Sequence, residues 1–326
     1  MERFLQDIGG KLKKIRVAVA GAGAFGKNHL RVLSENPRAE IAGVLDPDPA
    51  AAQQAAAAYG CPVLPSPQAA AGRADAAIVA APTIHHASLG CQFLEAGLDV
   101  LVEKPIADTS AAGRTLVETA ARTGRLLQVG HLERFNPAVQ AIERIVNKPL
   151  FFEIHRLSEF SLRSLDVDVV LDLMIHDIEI VLALTGKMPE EVRAAGISIL
   201  SGKVDLANVR LAFPGGCVAN LTASRVSTER VRKLRLFQPH QYITVDYAKR
   251  EAASISVGGG KFGLSQLPVE NAEPLRLEVD SFLDSVEYRT RPRVNGEDGL
   301  RALEVAESIL DRIKAHAEIV AESLRA

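Results

Sequence analysis

The sequence predicts an α/β protein in which a doubly wound parallel sheet is followed by an α+β domain with a largely antiparallel open sheet. Two observations indicate this fold class. In the first 130 residues, short runs of β-branched and aliphatic residues alternate with alanine-rich segments of helical length. Farther along, strand-like runs follow one another with only short turns between them. Alternating strands and helices are typical of parallel sheets, whereas short turns join antiparallel strands.

The first part of the chain contains five strand candidates with little polar alternation, as expected for strands that are buried on both faces. They are IRVAVAG from Ile15, EIAGVLD from Glu40, AAIVAAP from Ala76, DVLVEKP from Asp99 and LLQVGH from Leu126. Helix-length segments such as PAAAQQAAAAYG and DTSAAGRTLVETAARTG lie between them. We therefore predict an N-terminal arm over residues 1–14 and a first domain over residues 15–134.

The pattern changes near Asn136, and we assign residues 135–326 to a second domain. A helix-like segment, VDVVLDLMIHDIEIVLALTG, opens it. The strand candidates that follow are EEVRAAGISIL, ANVRLAFPGG, CVANLTASRVS, RKLRLFQPHQYITVDY and ASISVGGG. An amphipathic helix is predicted from about Gly299, with an apolar stripe formed by Leu303, Ala306, Ile309, Leu310 and Ile313.

Composition and charge argue against several classes of partner. The formal net charge of −2 gives no electrostatic reason to expect nucleic acid or an anionic membrane. No apolar run reaches the roughly 18 residues that would span a bilayer, and the first residues show no secretion signal. The three cysteines are widely separated and match no metal-ligand spacing. We therefore expect a cytoplasmic protein without disulfides or a metal site.

The segment VAVAGAGAFGKNHLRVL carries the strongest motif in the chain. Gly21, Gly23 and Gly26 form a G-x-G-x-x-G pattern directly after a predicted strand and at the start of a predicted helix. This is the context of the loop that binds a dinucleotide in Rossmann domains, where the helix N-terminus faces the pyrophosphate. We assign the loop residues, including Ala24 and Phe25, to cofactor binding, and we expect Gly26 to allow the helix to pack on the strand.

A carboxylate follows at the spacing that NAD requires. Asp46 ends the second strand candidate, 20 residues after Gly26, where an acidic side chain hydrogen-bonds the ribose hydroxyls. Asp48 is close and no arginine is nearby. Because two carboxylates would repel a 2′-phosphate, the sequence predicts NAD in preference to NADP.

The segment LVEKPIAD at residues 101–108 places Glu103 and Lys104 at the end of an apolar strand, where ligands of parallel sheets bind. Four segments, GAGAFG, APTIHHASLGCQFLEAGLDVLVEKPIAD, GHLERFNPAV and LDLMIHDIEIV, resemble the Gfo/Idh/MocA family of NAD(P)-dependent sugar oxidoreductases. The resemblance extends over nearly the whole chain. It implies cofactor contacts by Pro82, His86, Glu103 and Lys104, although His86 could instead only satisfy the start of a helix.

The resemblance also implies that Lys104, Asp172 and His176 are catalytic. Because Asp172 and His176 are four residues apart, we expect them on one face of an α-helix, where the aspartate could orient the histidine as a proton acceptor. The implied reaction is oxidation of a secondary hydroxyl, with hydride passing to NAD and Lys104 hydrogen-bonding the same oxygen. The division of proton transfer among the three residues stays open.

The segment GHLERFNPAV is the substrate-side candidate, with His131, Arg134 and Asn136 as possible contacts besides Asp172 and His176. An arginine at this place could equally be a structural tie. The segment resembles that of family members that act on nucleotide-linked amino sugars, in particular those that oxidise C3 of UDP-N-acetylglucosamine.

Three arginines farther on, Arg225, Arg230 and Arg232, could hold a diphosphate or form a solvated sheet edge.

Two other functions remain open from the sequence. Some members of the family bind NAD without catalysis and regulate a partner, and others oxidise a different cyclic polyol such as an inositol. The resemblance further implies a homodimer or homotetramer that assembles through the C-terminal sheet.

Overall fold

The structure is a computed structural model that describes residues 14–160, 167–258 and 261–323. Most of the predicted arm therefore lies outside the described residues. The chain forms two compact units. Unit 1 contains residues up to Glu103 with 118–128 and 279–293, and unit 2 contains residues 104–117, 129–278 and those from 294 onward. The chain passes between the units several times, so each unit combines segments that are distant in sequence.

The N-terminal sheet confirms all five strand predictions. Its strands are β1 Ile15–Ala20, β2 Ala39–Leu45, β3 Ala76–Val79, β4 Asp99–Glu103 and β5 Leu127–Gly130. Their spatial order is β2-β1-β3-β4-β5. The helices between the strands are α1 Ala24–Glu35, α2 Pro49–Tyr59, α3 His86–Glu95 and α4 Ser110–Thr123.

Local sequence accounts for these elements. The central residues of β1, including Val17 and Val19, are fully buried, as strands with apolar residues on both faces require. Helix α2 has Pro49 in its first turn and Asp48 as its N-cap, which accepts a hydrogen bond from the Ala50 amide at 2.9 Å. Its C-cap, Gly60, has φ +63°. The strand order reverses between β1 and β3, which creates the crevice where doubly wound sheets bind ligands.

Unit 2 is built on an eight-stranded sheet with the order β13-β12-β11-β10-β6-β9-β8-β7. Only the β6–β9 pairing is parallel among the strand pairs of this sheet for which the described residues give a register. The remaining elements in chain order are α5 Pro137–Glu143, β6 Phe151–Glu159, a π-helical turn Val170–Met174, α6 Ile175–Thr185, β7 Glu191–Ile197, β8 Leu206–Ala212, β9 Val218–Ser227, β10 Val231–Gln238, β11 Gln241–Asp246, β12 Glu251–Gly258, β13 Lys261–Gln266, α7 Pro274–Tyr288 and α8 Gly296–Ser323. The largely antiparallel sheet was predicted.

The core of unit 2 lies on one face of this sheet. Alternate residues such as Ile154, Leu221 and Leu234 are buried there together with Ile178 of α6 and Ile309 of α8. Strand β6 was not predicted, and neither were β13 or α7. In β6 the buried position after Ile154 is an arginine, so the apolar alternation that signals a strand is interrupted. Within the described residues, no helix is long and apolar enough to cross a membrane.

Candidate active site

The glycine loop of unit 1 is a tight turn that tolerates no side chain at two of its three glycines. Gly21 has φ +102°, and a Cβ there would lie 2.5 Å from the Ala80 carbonyl oxygen. A Cβ on Gly26 would lie 1.8 Å from the Gly21 carbonyl oxygen. Gly21 directly follows β1, so the lack of a side chain at Gly26 allows α1 to pack against the end of this strand, which agrees with the predicted role. At Gly23 a Cβ would meet no atom within 4 Å in the described residues, which leaves space for a ligand.

The N-terminus of α1 fits a pyrophosphate. Gly23 is the N-cap and no side chain caps the helix. The first turn contains no acidic residue, and Ala24 and Phe25 are both exposed. An uncapped helix N-terminus presents backbone N–H groups and a positive dipole end to an anion. The loop therefore has the donors that a dinucleotide needs.

Asp46 is anchored beside this loop. One carboxylate oxygen accepts a hydrogen bond from the Ala22 amide at 2.6 Å, and the other accepts one from the Asp48 amide at 2.9 Å. The carboxylate therefore connects the end of β2 to the glycine loop. Its half-buried position leaves it able to accept further hydrogen bonds from ribose hydroxyls, since each carboxylate oxygen has two lone pairs.

Three other residues assigned to the cofactor are placed differently. Pro82 is exposed and directly precedes a 3₁₀ turn, Thr83–His85, which leads into α3. The His86 ring is buried, and its Nε2 lies 2.8 Å from the Ala81 carbonyl oxygen, which favours the interpretation that it satisfies a helix start. Glu103 lies 2.7 Å from Nε2 of His29, a buried residue of α1. These two residues are 74 positions apart, and no motif in the sequence indicates that they pair.

Lys104 directly follows β4 and is held by Asp172 in unit 2. Its Nζ donates a hydrogen bond to the Asp172 backbone carbonyl at 2.7 Å and lies 3.7 Å from the Asp172 carboxylate. The lysine side chain is 14% exposed and that of Asp172 is 30% exposed. The ammonium group is thus largely desolvated but close to a carboxylate, which offsets part of the cost of its burial.

The expectation of a regular α-helix through Asp172 and His176 is wrong. Asp172 lies in the π-helical turn, in which the Ile175 amide bonds to the Val170 carbonyl five residues earlier. The i,i+4 geometry of an α-helix therefore does not apply. The Asp172 carbonyl accepts the hydrogen bond from Lys104. Nδ1 of His176 has no hydrogen-bond partner among the described residues. Turns of this type are frequent at functional sites.

Two histidines lie side by side in unit 2. The His131 and His176 ring centroids are 6.1 Å apart, and the ring planes are nearly perpendicular at 88°. His131 is 1% exposed, and neither of its ring nitrogens has a partner in the described part of the chain. Burial, with the positive charges of Lys104 and Arg134, lowers the pKa of His131 to about 3. Burial, with Lys104 and Arg156, also holds the pKa of His176 well below its usual value. Both imidazoles are therefore neutral at neutral pH.

Arg134 and Asn136 have structural partners. The Arg134 guanidinium lies 2.9 Å from carboxylate oxygens of both Glu143 and Glu179. Asn136 is the N-cap of α5 and accepts a hydrogen bond from the Ala138 amide at 3.1 Å. Neither finding supports a substrate contact, so their substrate role stays a prediction.

A buried charge network behind His176 could not be read from the sequence. Arg156 of β6 donates two hydrogen bonds to Asp177, at 2.8 and 2.7 Å, and a third to Glu133 at 2.9 Å. Its guanidinium also lies 5.2 Å from the centre of the Tyr247 ring. Asp177 directly follows His176, so the network fixes the first turn of α6. An arginine on a core face is recognisable only once its carboxylate partners are known.

Comparison with known proteins gives this arrangement a family. Residues 15–131 match the Gfo/Idh/MocA oxidoreductase model with the NAD-binding Rossmann fold, and residues 148–242 match the C-terminal domain model of the same family. The chain belongs to the Gfo/Idh/MocA oxidoreductase family. It is an oxidoreductase with an NAD(P)-binding Rossmann domain, as its sequence predicted.

The similarity to individual relatives extends over nearly the full length. A UDP-N-acetylglucosamine 3-dehydrogenase of Acidithiobacillus ferrooxidans is 32% identical over 92% of this chain and 98% of its own. A crystal form of that enzyme superposes with a TM-score of 0.88 at 30% identity, covering 93% of this chain and 98% of the other. An inositol 2-dehydrogenase of Rhizobium meliloti is 26% identical over 94% and 98% of the two chains.

Proposed function

We propose that this family member oxidises the C3 hydroxyl of a UDP-N-acetylhexosamine, such as UDP-N-acetylglucosamine, and prefers NAD to NADP. The relative with 32% identity over the full length carries this activity in its name. The observation that carries the proposal is a grouping of three residues. Lys104 donates a hydrogen bond to Asp172, four residues before His176, and the His176 ring lies 6.1 Å from that of His131. A cation and a proton acceptor at one place are what oxidation of an alcohol needs.

The residues of unit 2 divide the proton chemistry between them. Neutral His176 accepts the proton of the substrate hydroxyl, since one of its ring nitrogens is deprotonated. Lys104 donates a hydrogen bond to the same oxygen and stabilises the negative charge that develops as the proton leaves. The positive charges of Lys104 and Arg156 disfavour a lasting imidazolium, so the proton taken up by His176 is released to solvent. A bound nicotinamide would supply the hydride acceptor.

Preference for NAD rests on Asp46. Its carboxylate is fixed by two backbone amides beside the glycine loop, and Asp48 follows in the same turn. Fixed negative charge at this place favours a ribose with free hydroxyls and repels a 2′-phosphate.

Inositol oxidation is the second candidate, because an inositol 2-dehydrogenase matches 94% of this chain. The cluster of Lys104, Asp172 and His176 is compatible with any ring that carries a secondary hydroxyl. Assembly into dimers or tetramers through the C-terminal sheet and a cytoplasmic location stay predictions.

The test is reduction of nicotinamide by the purified protein with NAD or NADP. The panel contains UDP-N-acetylglucosamine, UDP-N-acetylgalactosamine, free N-acetylglucosamine and myo-inositol. We expect turnover with the UDP sugars and NAD. Turnover confined to myo-inositol would favour the second candidate, and no turnover of any compound despite NAD binding would favour a regulatory protein.

A further inference from the structure

The three arginines that were candidates for diphosphate binding differ in how their charge is balanced. Arg225 is buried, donates a hydrogen bond to the Val167 carbonyl and lies 3.9 Å from the Asp205 carboxylate. Asp205 itself accepts hydrogen bonds from three successive backbone amides of the β7–β8 connection. Arg225 is therefore a structural residue that fixes this connection.

Arg232 is in a different situation, because it lies directly opposite Arg156 across the β10–β6 pair. Two like charges in register are destabilising unless anions compensate them. Arg156 has both Asp177 and Glu133 within hydrogen-bonding distance. Arg232 is 4.0 Å from Glu133, and the oxygen concerned is the same one that already binds Arg156 at 2.9 Å.

The Arg232 guanidinium is also short of hydrogen-bond acceptors. Its Nε is buried and has no partner among the described residues. The side chain is 27% exposed, so the group is open on one side and desolvated on the other. Burial and the charges of Arg156 and Arg230 lower the pKa of Arg232. A second cation, the exposed Arg230, precedes it by two residues in the chain.

Arg232 lies near the proposed reaction centre. It lies opposite Arg156, which donates two hydrogen bonds to Asp177, the residue that directly follows His176. A desolvated guanidinium with an unused N–H and a neighbouring arginine is suited to phosphate, because the planar fork of donors matches two phosphate oxygens.

We infer that Arg232, with Arg230 beside it, binds the diphosphate of the substrate. This inference rests on the proposed function and narrows it, because free inositols and free sugars carry no such group. The anion would supply the acceptors that Glu133 cannot share between two arginines. The diphosphate would thereby fix the sugar while His176 and Lys104 act on its hydroxyl.

The test is calorimetric titration of the protein with UDP and, separately, with uridine. Hydrogen bonds to a charged partner are strong enough that Arg232→Met is expected to weaken UDP binding roughly 10- to 100-fold. Binding of uridine, which lacks the diphosphate, should stay unchanged. Arg230→Met should weaken UDP binding by a smaller factor, since Arg230 is exposed. Arg235→Met is the matched control, because Arg235 lies on the same strand but is paired with Glu153 at 3.0 Å.

The outcomes separate this inference from the proposed function. If the wild type turns over UDP-N-acetylglucosamine but Arg232→Met does not change UDP binding, the inference that Arg232 binds the diphosphate is overturned and the proposed dehydrogenase function stands. If UDP binding depends on Arg232 but the wild type does not oxidise UDP-N-acetylglucosamine, diphosphate binding by Arg232 is supported and the proposed dehydrogenase function is rejected. Diphosphate binding by Arg232 would also be overturned if the wild type did not bind UDP, or if Arg235→Met weakened UDP binding as much as Arg232→Met. If Arg232 binds the diphosphate, Arg232→Met should raise KM for UDP-N-acetylglucosamine far more than it lowers kcat.

Discussion

The buried pair between Arg156 and Asp177 gives the sharpest stability prediction. Both side chains are 2% exposed and share two hydrogen bonds. We consider Asp177→Asn, which keeps the shape of the side chain and removes its charge. Burial opposes the charge of Arg156, but the Asp177 and Glu133 carboxylates outweigh burial and raise the pKa of Arg156 well above its usual value. The guanidinium therefore stays charged and loses one of its two counterions.

The expected size follows from this loss. Removing one partner of a buried pair costs about 3–5 kcal/mol, since a charge is left uncompensated. Glu133 still accepts a hydrogen bond from Arg156 at 2.9 Å. We therefore expect a loss of about 3 kcal/mol in the free energy of unfolding, at the lower end of that range.

Urea unfolding followed by circular dichroism measures this loss. The control is Arg235→Met, which removes a pair whose side chains are 43% and 35% exposed. Exposed pairs contribute about 0–1 kcal/mol, so the control should be nearly neutral. A loss below about 1 kcal/mol for Asp177→Asn, or one no larger than that of the control, would refute the reasoning.

Two further predictions concern the cofactor and pH. Asp46→Asn should raise KM for NAD and reduce the preference for NAD over NADP in steady-state assays, because the fixed charge that repels a 2′-phosphate is lost; an unchanged cofactor ratio would count against this role. His131 has a folded pKa of about 3, below the unfolded value of about 6.5. Above about pH 6.5, His131 is neutral in both states and does not lower the free energy of unfolding. As pH falls below this value, the unfolded state binds a proton that the folded state does not, so the free energy of unfolding decreases by up to about 1.4 kcal/mol per pH unit. His131→Phe should flatten the dependence of unfolding free energy on pH between about pH 6.5 and pH 5, and an unchanged slope would contradict the assigned pKa.

The parts of the fold that follow from local patterns were predictable. Strands β1–β5 read directly from apolar runs, and the glycine loop from three glycines in a strand–helix context. Strand β6 was missed because Arg156 occupies a core position that the pattern reserves for an apolar residue. Its burial is made possible by Asp177 and Glu133, which lie about 20 residues away in sequence and show no recognisable spacing.

In the candidate site, too, local motifs identified residues, whereas their contacts with distant residues could not be predicted. Lys104 and Asp172, which the resemblance implies are catalytic, are in contact through the backbone carbonyl of a π-helical turn. Such a turn depends on which groups donate hydrogen bonds to its carbonyls and which accept them from its amides, and this is set by tertiary structure. Arg134 is tied to Glu143 and Glu179, and those partners could not be identified from the motif that contains it.

The central claim is that Lys104 acts on the oxygen of a substrate hydroxyl. The most direct measurement is the rate of NADH formation from UDP-N-acetylglucosamine by wild type and Lys104→Met, with circular dichroism and melting temperature as controls for folding. Removing one preorganised donor to a developing oxyanion typically lowers kcat by about 10²- to 10³-fold. We predict a loss of this size in a folded variant. Wild-type turnover by a folded Lys104→Met variant would contradict the claim.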